Sequence, residues 1–161
     1  QALLLGAGGA ARSVAYALAS VGARVAILNR TPERAEALAA ALRQPLPGAR
    51  LVAGPLDQAT LATLTTVDLV VNATTLGMWP EVEASPWPQG APFPARAFCY
   101  DLVYNPRETS LMRQAHEAGA RACDGLTMLV HQGAEAFALW TGQQPPVEVM
   151  LAACEQLLRG G

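Results

Sequence analysis

A glycine-rich string near the start of the chain is the first segment whose spacing implies chemistry. It follows an apolar run at 2–5 and consists of Gly6, Ala7, Gly8, Gly9 and Ala10. Glycines let a backbone turn tightly and approach a pyrophosphate, and a helix that starts there offers free N–H groups and a partial positive charge. A strand before the string and a helix after it supply the context of a dinucleotide-binding loop. The alternative is a tight strand-to-helix turn without a ligand.

The residues that follow the second predicted strand indicate which dinucleotide binds. NAD-binding domains place an acidic residue here to bind the ribose 2′-OH, whereas this chain has Asn29. An amide does not repel a 2′-phosphate as a carboxylate would, and arginine donates to a phosphate in a fork. Two arginines in a first helical turn oppose the helix dipole unless an anion binds, so the pattern favours NADP over ordinary solvated charges. The segment is Asn29, Arg30, Thr31, Pro32, Glu33 and Arg34.

Three more predicted strands end in polar residues. The segments that leave them run from Asn72 through Thr74 to Met78, and over 101–109 and 124–132. Because the carboxyl ends of parallel strands meet at one edge of a sheet, we expect these segments to converge beside the glycine loop and form a cleft.

Strands alternate with helices along the chain. The apolar runs predict strands at 2–5, 24–28, 51–53, 67–73, 98–103 and 120–123, and helices at 11–21, 31–42, 57–64, 109–118, 126–141 and 146–158. This order predicts an α/β fold with a doubly wound, mostly parallel six-stranded sheet and C-terminal helices. Val14, Leu18 and Val21 are the expected buried stripe of the first helix. The segment 76–96 has no period, and loops of this length are often functional.

Composition narrows the function classes. The chain has 161 residues, the size of one domain, and a net charge of −2, so no basic field would attract nucleic acid or an anionic membrane. No uncharged apolar run approaches the roughly 20 residues of a spanning helix. Cys99, Cys123 and Cys154 match no zinc spacing and predict buried thiols in a reducing cytoplasm, with no metal. All 11 basic residues are arginine, which is a poor proton shuttle.

Five strings together carry a family resemblance. They are the GAGGA loop, NRT after the second strand, NAT-x-x-GM, D-x-x-YNP-x-x-T, and DG-x-x-MLV-x-Q with a later F and WTG. They occur in order over nearly the whole chain, which resembles the shikimate dehydrogenase family. The resemblance implies reversible hydride transfer between NADPH and 3-dehydroshikimate, giving shikimate in the chorismate pathway of aromatic amino-acid biosynthesis.

The resemblance also implies roles for single residues. Residues 6–10 would hold the pyrophosphate and 29–34 the adenosine 2′-phosphate end, and the string with Asn72 and Thr74 would also face the cofactor. The nicotinamide end would contact Leu102 and Gly125, with Met128 packed near the ring. Shikimate oxygens would bind Tyr104 and Gln132.

The family's catalytic lysine and aspartate lie in a preceding substrate domain. This chain has no lysine and starts within an apolar strand, so we expect 1–161 to be the NADP-binding domain alone, without catalytic residues and inactive by itself. It would pack on the preceding domain, and a homodimer is a further alternative. The histidines do not replace the pair, because His116 is expected in solvent and His131 adjoins Gln132 and should point elsewhere.

Two other functions remain open from the sequence. Glutamyl-tRNA reductase has a similar glycine loop and an N-R-T-x-x-R-A string, but it would need a basic RNA-binding face and a long helix after the domain. The pI near 5.6 and the terminal string Arg159, Gly160 and Gly161 argue against this alternative. A non-catalytic NADP-sensing module would bind the cofactor in a cleft that shikimate-like ligands leave unaffected.

Overall fold

The computed structural model describes residues 1–64 and 66–159, so the terminal Gly160 and Gly161 lie outside the described residues. The strands are β1 (Ala2–Leu5), β2 (Arg24–Asn29), β3 (Arg50–Pro55), β4 (Leu69–Asn72), β5 (Phe98–Asp101) and β6 (Arg121–Cys123). The helices are α1 (Gly9–Ser20), α2 (Pro32–Arg43), α3 (Gln58–Ala62), α4 (Ser110–Glu117), α5 (Leu126–Thr141) and α6 (Val147–Arg159).

One sheet organises the fold. All its strand pairs are parallel, and their order is β3-β2-β1-β4-β5-β6. The order reverses between β1 and β4, where Leu5 lies beside Asn72. This is the topology of the Rossmann dinucleotide-binding fold, whose ligands bind outside the carboxyl ends of the strands at that reversal. The predicted fold class is confirmed, and the six strands are parallel throughout.

The two faces of the sheet have separate cores. Along β1, Leu3 and Leu5 belong to one core and Leu4 to the other, as the two-residue period of a strand requires. Residues of α1 and α2 cover the Leu4 face, and residues of α4 and of the segment 76–96 cover the other. Burial on both faces explains why the strand sequences are continuously apolar.

The buried stripe of α1 differs from the prediction. Its buried residues are Ala11, Ala15 and Ala19, whereas Val21 is 80% exposed and forms the C-cap. Alanine at every fourth position lets the helix lie close to the sheet, which larger side chains would prevent. The apolar period of α1 is visible in the sequence, but the buried positions are the alanines rather than the larger residues.

The segment 76–96 takes the place of a crossover helix between β4 and β5. Trp87 and Phe93 are buried in the core on the Leu3 face of the sheet, with ring centroids 4.6 Å apart. The Trp87 indole N–H donates to the carbonyl of Ala91 at 3.0 Å, so the buried ring has its polar atom satisfied. This part of the long loop therefore has a structural role.

The last two helices form a pair with an apolar outer surface. Inside α5, Leu126, Val130 and Ala134 are buried at four-residue intervals. The large apolar side chains left exposed on the pair are Leu139, Trp140, Val149 and Leu157. Over the described residues, no helix is both long enough and apolar enough to span a bilayer.

Candidate functional site

The glycine loop follows β1 at the reversal of strand order. Gly6 has φ +106°, and its N–H donates to the Leu28 carbonyl at 2.8 Å. A Cβ on Gly6 would lie 3.0 Å from Thr74 Cγ2 and 3.1 Å from the Ala73 carbonyl oxygen, so both conformation and space require glycine. This places the predicted cofactor residue Thr74 against the loop.

The rest of the loop is open to a ligand. Gly8 is the N-cap of α1 and makes no side-chain cap, and the first turn of α1 has no acidic residue. A Cβ on Gly8 or Gly9 would meet no atom within 4 Å, and Ala10 is exposed beside them, with Ala7 half-buried. The N–H groups of this first turn therefore face a free approach, the geometry that binds phosphate at helix N-termini.

The turn after β2 presents unpaired positive charge. The Asn29 side-chain amide donates to the Thr31 carbonyl at 2.9 Å and shapes the turn. Thr31 is the N-cap of α2 and Pro32 its first residue, but the Thr31 hydroxyl caps nothing. Arg30 and Arg34 are exposed, as is Glu33 of the same turn. Over residues 1–64 and 66–159, neither arginine side chain has a hydrogen bond or an ion pair.

A buried carboxylate joins β4, β5 and α4 at the other side of the reversal. Asp101 Oδ1 accepts from Asn72 Nδ2 at 2.8 Å and from the Val103 N–H at 3.0 Å. Asp101 Oδ2 accepts from the Thr109 hydroxyl at 2.6 Å, and that hydroxyl oxygen accepts from the Met112 N–H at the start of α4. We call Asn72, Asp101 and Thr109 the buried triad; all three residues are fully buried.

Burial raises the pKa of Asp101, while its hydrogen bonds from Thr109, Val103 and Asn72 act in the opposite direction. None of these three donors carries a charge. The triad was not singled out as a unit from the sequence. An aspartate at a strand end, eight residues before a threonine that caps a helix, was the available signal.

Asn72 serves the site through the loop that it holds. Its Oδ1 accepts from the backbone N–H of Thr74 at 2.9 Å and from the Thr74 hydroxyl at 2.7 Å. Its backbone carbonyl accepts from the Leu102 N–H at 3.0 Å. The predicted cofactor contact of Asn72 remains a prediction, but its side-chain atoms are already engaged inside the protein.

The ends of β5 and α5 meet backbone to backbone. The Gly125 N–H donates to the Val103 carbonyl at 3.0 Å. A Cβ on Gly125 would lie 2.1 Å from the Leu102 carbonyl oxygen and 2.8 Å from its Cα, although the φ of −86° suits any residue. Space alone therefore requires glycine here, and the close approach brings together the two residues predicted at the nicotinamide end.

The remaining predicted residues lie around this contact. Met128 is half-buried in the first turn of α5, and the exposed Gln132 lies one turn further on. Tyr104 follows β5 and is 36% exposed. His116 is 46% exposed and pairs with Glu108 at 3.4 Å, consistent with its expected place in solvent.

Two family models match the segments that build this site. Residues 1–78 match the shikimate / quinate 5-dehydrogenase model, and residues 125–155 match the shikimate 5′-dehydrogenase C-terminal domain. This chain belongs to the shikimate dehydrogenase family. The matches therefore do not favour the glutamyl-tRNA reductase alternative.

Solved and curated members of the shikimate dehydrogenase family agree with the match. Shikimate dehydrogenase (NADP(+)) from Moorella thermoacetica is 49% identical over 151 residues, or 93% of this chain and 51% of the relative. A crystal structure of shikimate dehydrogenase in complex with NADP+ has a TM-score of 0.85 and 36% identity, covering 98% of this chain and 54% of that one.

Shikimate 5-dehydrogenase from Thermus thermophilus, in complex with NADP(H) and shikimate, has a TM-score of 0.78 and 43% identity, covering 96% of this chain and 54% of that one. With 51% of the Moorella enzyme covered, the chain spans about half the length of the curated relatives it matches.

Replacing Asp101 with asparagine tests the triad. An amide would turn its own N–H groups toward at least one of the donors that the carboxylate satisfies, so we expect a loss of about 1–3 kcal/mol in the free energy of unfolding, measured with urea. Because burial raises the pKa of Asp101, its contribution to stability is complete below the pKa of an unfolded aspartate and falls as pH rises through the folded value.

The loss in Asp101→Asn should therefore be largest at acidic pH and shrink toward neutral pH. Asp57→Asn is the matched control, because this exposed side chain caps α3 and asparagine caps equally well. The pKa of Asp57 is lowered by its bonds to Thr60, so its smaller effect should show the opposite pH trend. A loss in Asp101→Asn that grows with pH would contradict the assignment.

Gly125→Ala tests the backbone contact. The new Cβ would overlap the Leu102 carbonyl and push α5 away from β5, so we expect a loss of about 1–3 kcal/mol in urea unfolding, as for other overpacked sites. Gly133→Ala in the same helix is the control: its Cβ would meet only the flexible Met150 methyl group at 3.3 Å, and alanine favours a helix by about 1 kcal/mol. Equal stability of the two variants would refute the spatial requirement at Gly125.

Proposed function

We propose that this chain is the cofactor-binding half of an NADP-dependent shikimate dehydrogenase, which reduces 3-dehydroshikimate with NADPH. The observation that carries the proposal is the open glycine loop beside Arg30 and Arg34. The side chains of these arginines have no protein partner among the described residues, and β2 does not end in an acidic residue. The relatives named for NADP and shikimate support it.

Different segments of the cleft bind different parts of the dinucleotide. The glycine loop at residues 6–10 receives the pyrophosphate through the N–H groups that follow Gly6, and residues 29–34 receive the adenosine 2′-phosphate. At the other end, Thr74, Leu102, Gly125 and Met128 border the nicotinamide, with Asn72 behind them. When bound, the dinucleotide supplies the hydride, and these residues fix its position.

The substrate lies on the α5 side of the cleft in this proposal. Tyr104 and Gln132 follow β5 and the start of α5, beyond the Leu102–Gly125 contact, and both side chains reach solvent. A phenol and an amide offer donors and acceptors for the hydroxyl and carboxylate oxygens of shikimate.

In this proposal, proton transfer belongs to the part of the related enzymes that this chain does not cover. The chain has no lysine, so we propose that catalytic groups and further substrate contacts come from that region and that the chain alone turns over no shikimate. The apolar surface of α5 and α6 would pack on it, with a second copy of the chain as the alternative occupant. Three free cysteines favour a cytoplasmic enzyme.

Titration of both reduced cofactors tests the choice of dinucleotide. Arg30 pairing with the 2′-phosphate should make NADPH bind about ten- to hundredfold more tightly than NADH, as expected for a charge-assisted hydrogen bond. Arg30→Ala should lose most of that preference with little change for NADH. Arg24→Ala, at the opposite end of β2, is the charge-matched control and should keep it. Equal affinity of the wild type for both cofactors would refute the proposal.

Gln132→Ala tests the substrate side in the full-length enzyme. Shikimate oxygens left without a partner should lower kcat/KM for shikimate by about ten- to hundredfold, while NADPH affinity barely changes. His131→Ala is the control, because this exposed neighbour projects from another side of α5. Normal shikimate kinetics together with a lowered Tm would mean that Gln132 only supports the helix.

A further inference from the structure

A groove runs between α1 and α2 from the glycine loop. It has a volume of about 400 Å³ and begins at Gly8 and Gly9. Its two charged walls are Arg12 of α1 and Arg34 of α2, and alanines of α2 line part of the rest. No acidic residue lines it, and no residue of the β4 or β5 ends contributes.

Arg12 is a cation without a partner in this groove. It lies in the first turn of α1, where its backbone N–H donates to the Gly8 carbonyl at 3.0 Å. Like Arg34, it is exposed, and its side chain has no hydrogen bond or ion pair within the part of the chain that the structure describes. Each lies in the first turn of its helix, where positive charge opposes the helix dipole.

Two guanidinium groups that share a groove repel each other, and the glycine loop adds the positive ends of backbone N–H dipoles. A ligand that carries two negative charges relieves both unfavourable terms at once. A phosphate monoester has that charge and offers three acceptor oxygens, which match the fork of arginine.

The position of the groove distinguishes the two phosphate groups of the cofactor. A pyrophosphate over the start of α1 leads on toward Thr74 and Leu102, and neither of these lines the groove. The groove leads instead to α2, on the side of the turn after β2, where the adenosine end lies in the proposed function. The monoester at that end is the 2′-phosphate.

We propose that Arg12 is a further specificity-determining residue, which pairs with the adenosine 2′-phosphate from α1 while Arg34 pairs with it from α2. The inference rests on the proposed NADP-binding function. The 2′-phosphate is then held between two helices, and the preference for NADP depends on a residue in the first turn after the glycine loop as well as on the turn after β2.

The test is the Kd of NADPH and of NADH for the intact protein and its Arg12→Ala and Arg12→Lys variants. Arg12→Ala should weaken NADPH about tenfold and leave NADH unchanged, the lower end of the range for a charge-assisted bond at an exposed site. Arg12→Lys should recover part of the loss, because it restores the charge without the fork. Ser13→Ala, at the next exposed position of α1, should change neither Kd.

Each outcome either supports or overturns the pairing of Arg12 with the 2′-phosphate. A NADPH-specific loss in Arg12→Ala, with unchanged Tm, supports the pairing. An equal loss of affinity for NADPH and NADH would assign Arg12 to the pyrophosphate and overturn the pairing. Unchanged affinity for both cofactors, with a wild type that still prefers NADPH, would also overturn the pairing. The proposed function survives both results. Failure of the wild type to prefer NADPH would overturn the proposed function and this inference with it.

Discussion

The buried carboxylate of Asp101 is the interaction on which the β4–β5 half of the cleft depends. It accepts from the end of β4, from the backbone just after β5 and from the residue that caps α4. The end of β4, 29 residues earlier in the sequence, and the start of α4 are thereby fixed to one group that water does not reach. Because an unpaired buried donor costs about 1–3 kcal/mol, the arrangement is stable only when all donors are satisfied together. The positions of Thr74 and Leu102 follow from it.

The two halves of the cleft differ in whether their polar and charged groups have partners within the protein. Around Asp101 every side-chain donor has a protein acceptor, and the backbones of Leu102 and Gly125 touch without space for a Cβ. Among the described residues, the first N–H groups of α1 have no side-chain cap, and the side chains of the arginines after β2 have no protein partner. A site that is complete on one side and electrostatically incomplete on the other suits a ligand with a neutral or singly charged ring at one end and phosphates at the other.

Local sequence signals predicted much of the fold and of the site. The rest depends on long-range packing, which those signals do not contain. The glycine loop, Pro32 at the start of α2 and the six strands follow from patterns within a few residues. Strand ends were less accurate: β4 was expected over 67–73 and covers Leu69–Asn72, because apolar residues continue past the last ladder bond. The alanine stripe of α1, the burial of Trp87 and the groove beside Arg12 depend on which surfaces meet in three dimensions. No spacing within one element contains that information.

The titratable side chains of this chain support the proposal that it positions the dinucleotide and does not supply the proton. Hydride transfer to a ketone requires a group that gives up a proton near neutral pH. Asp101 has both oxygens occupied by donors, and burial raises the pKa of the Cys99 thiol to about 12. His116, on α4, pairs with the exposed Glu108 that precedes this helix. Arginine, the one basic residue type here besides histidine, holds its proton throughout this range. We therefore propose that the proton donor comes from the part of the relatives that this chain does not cover.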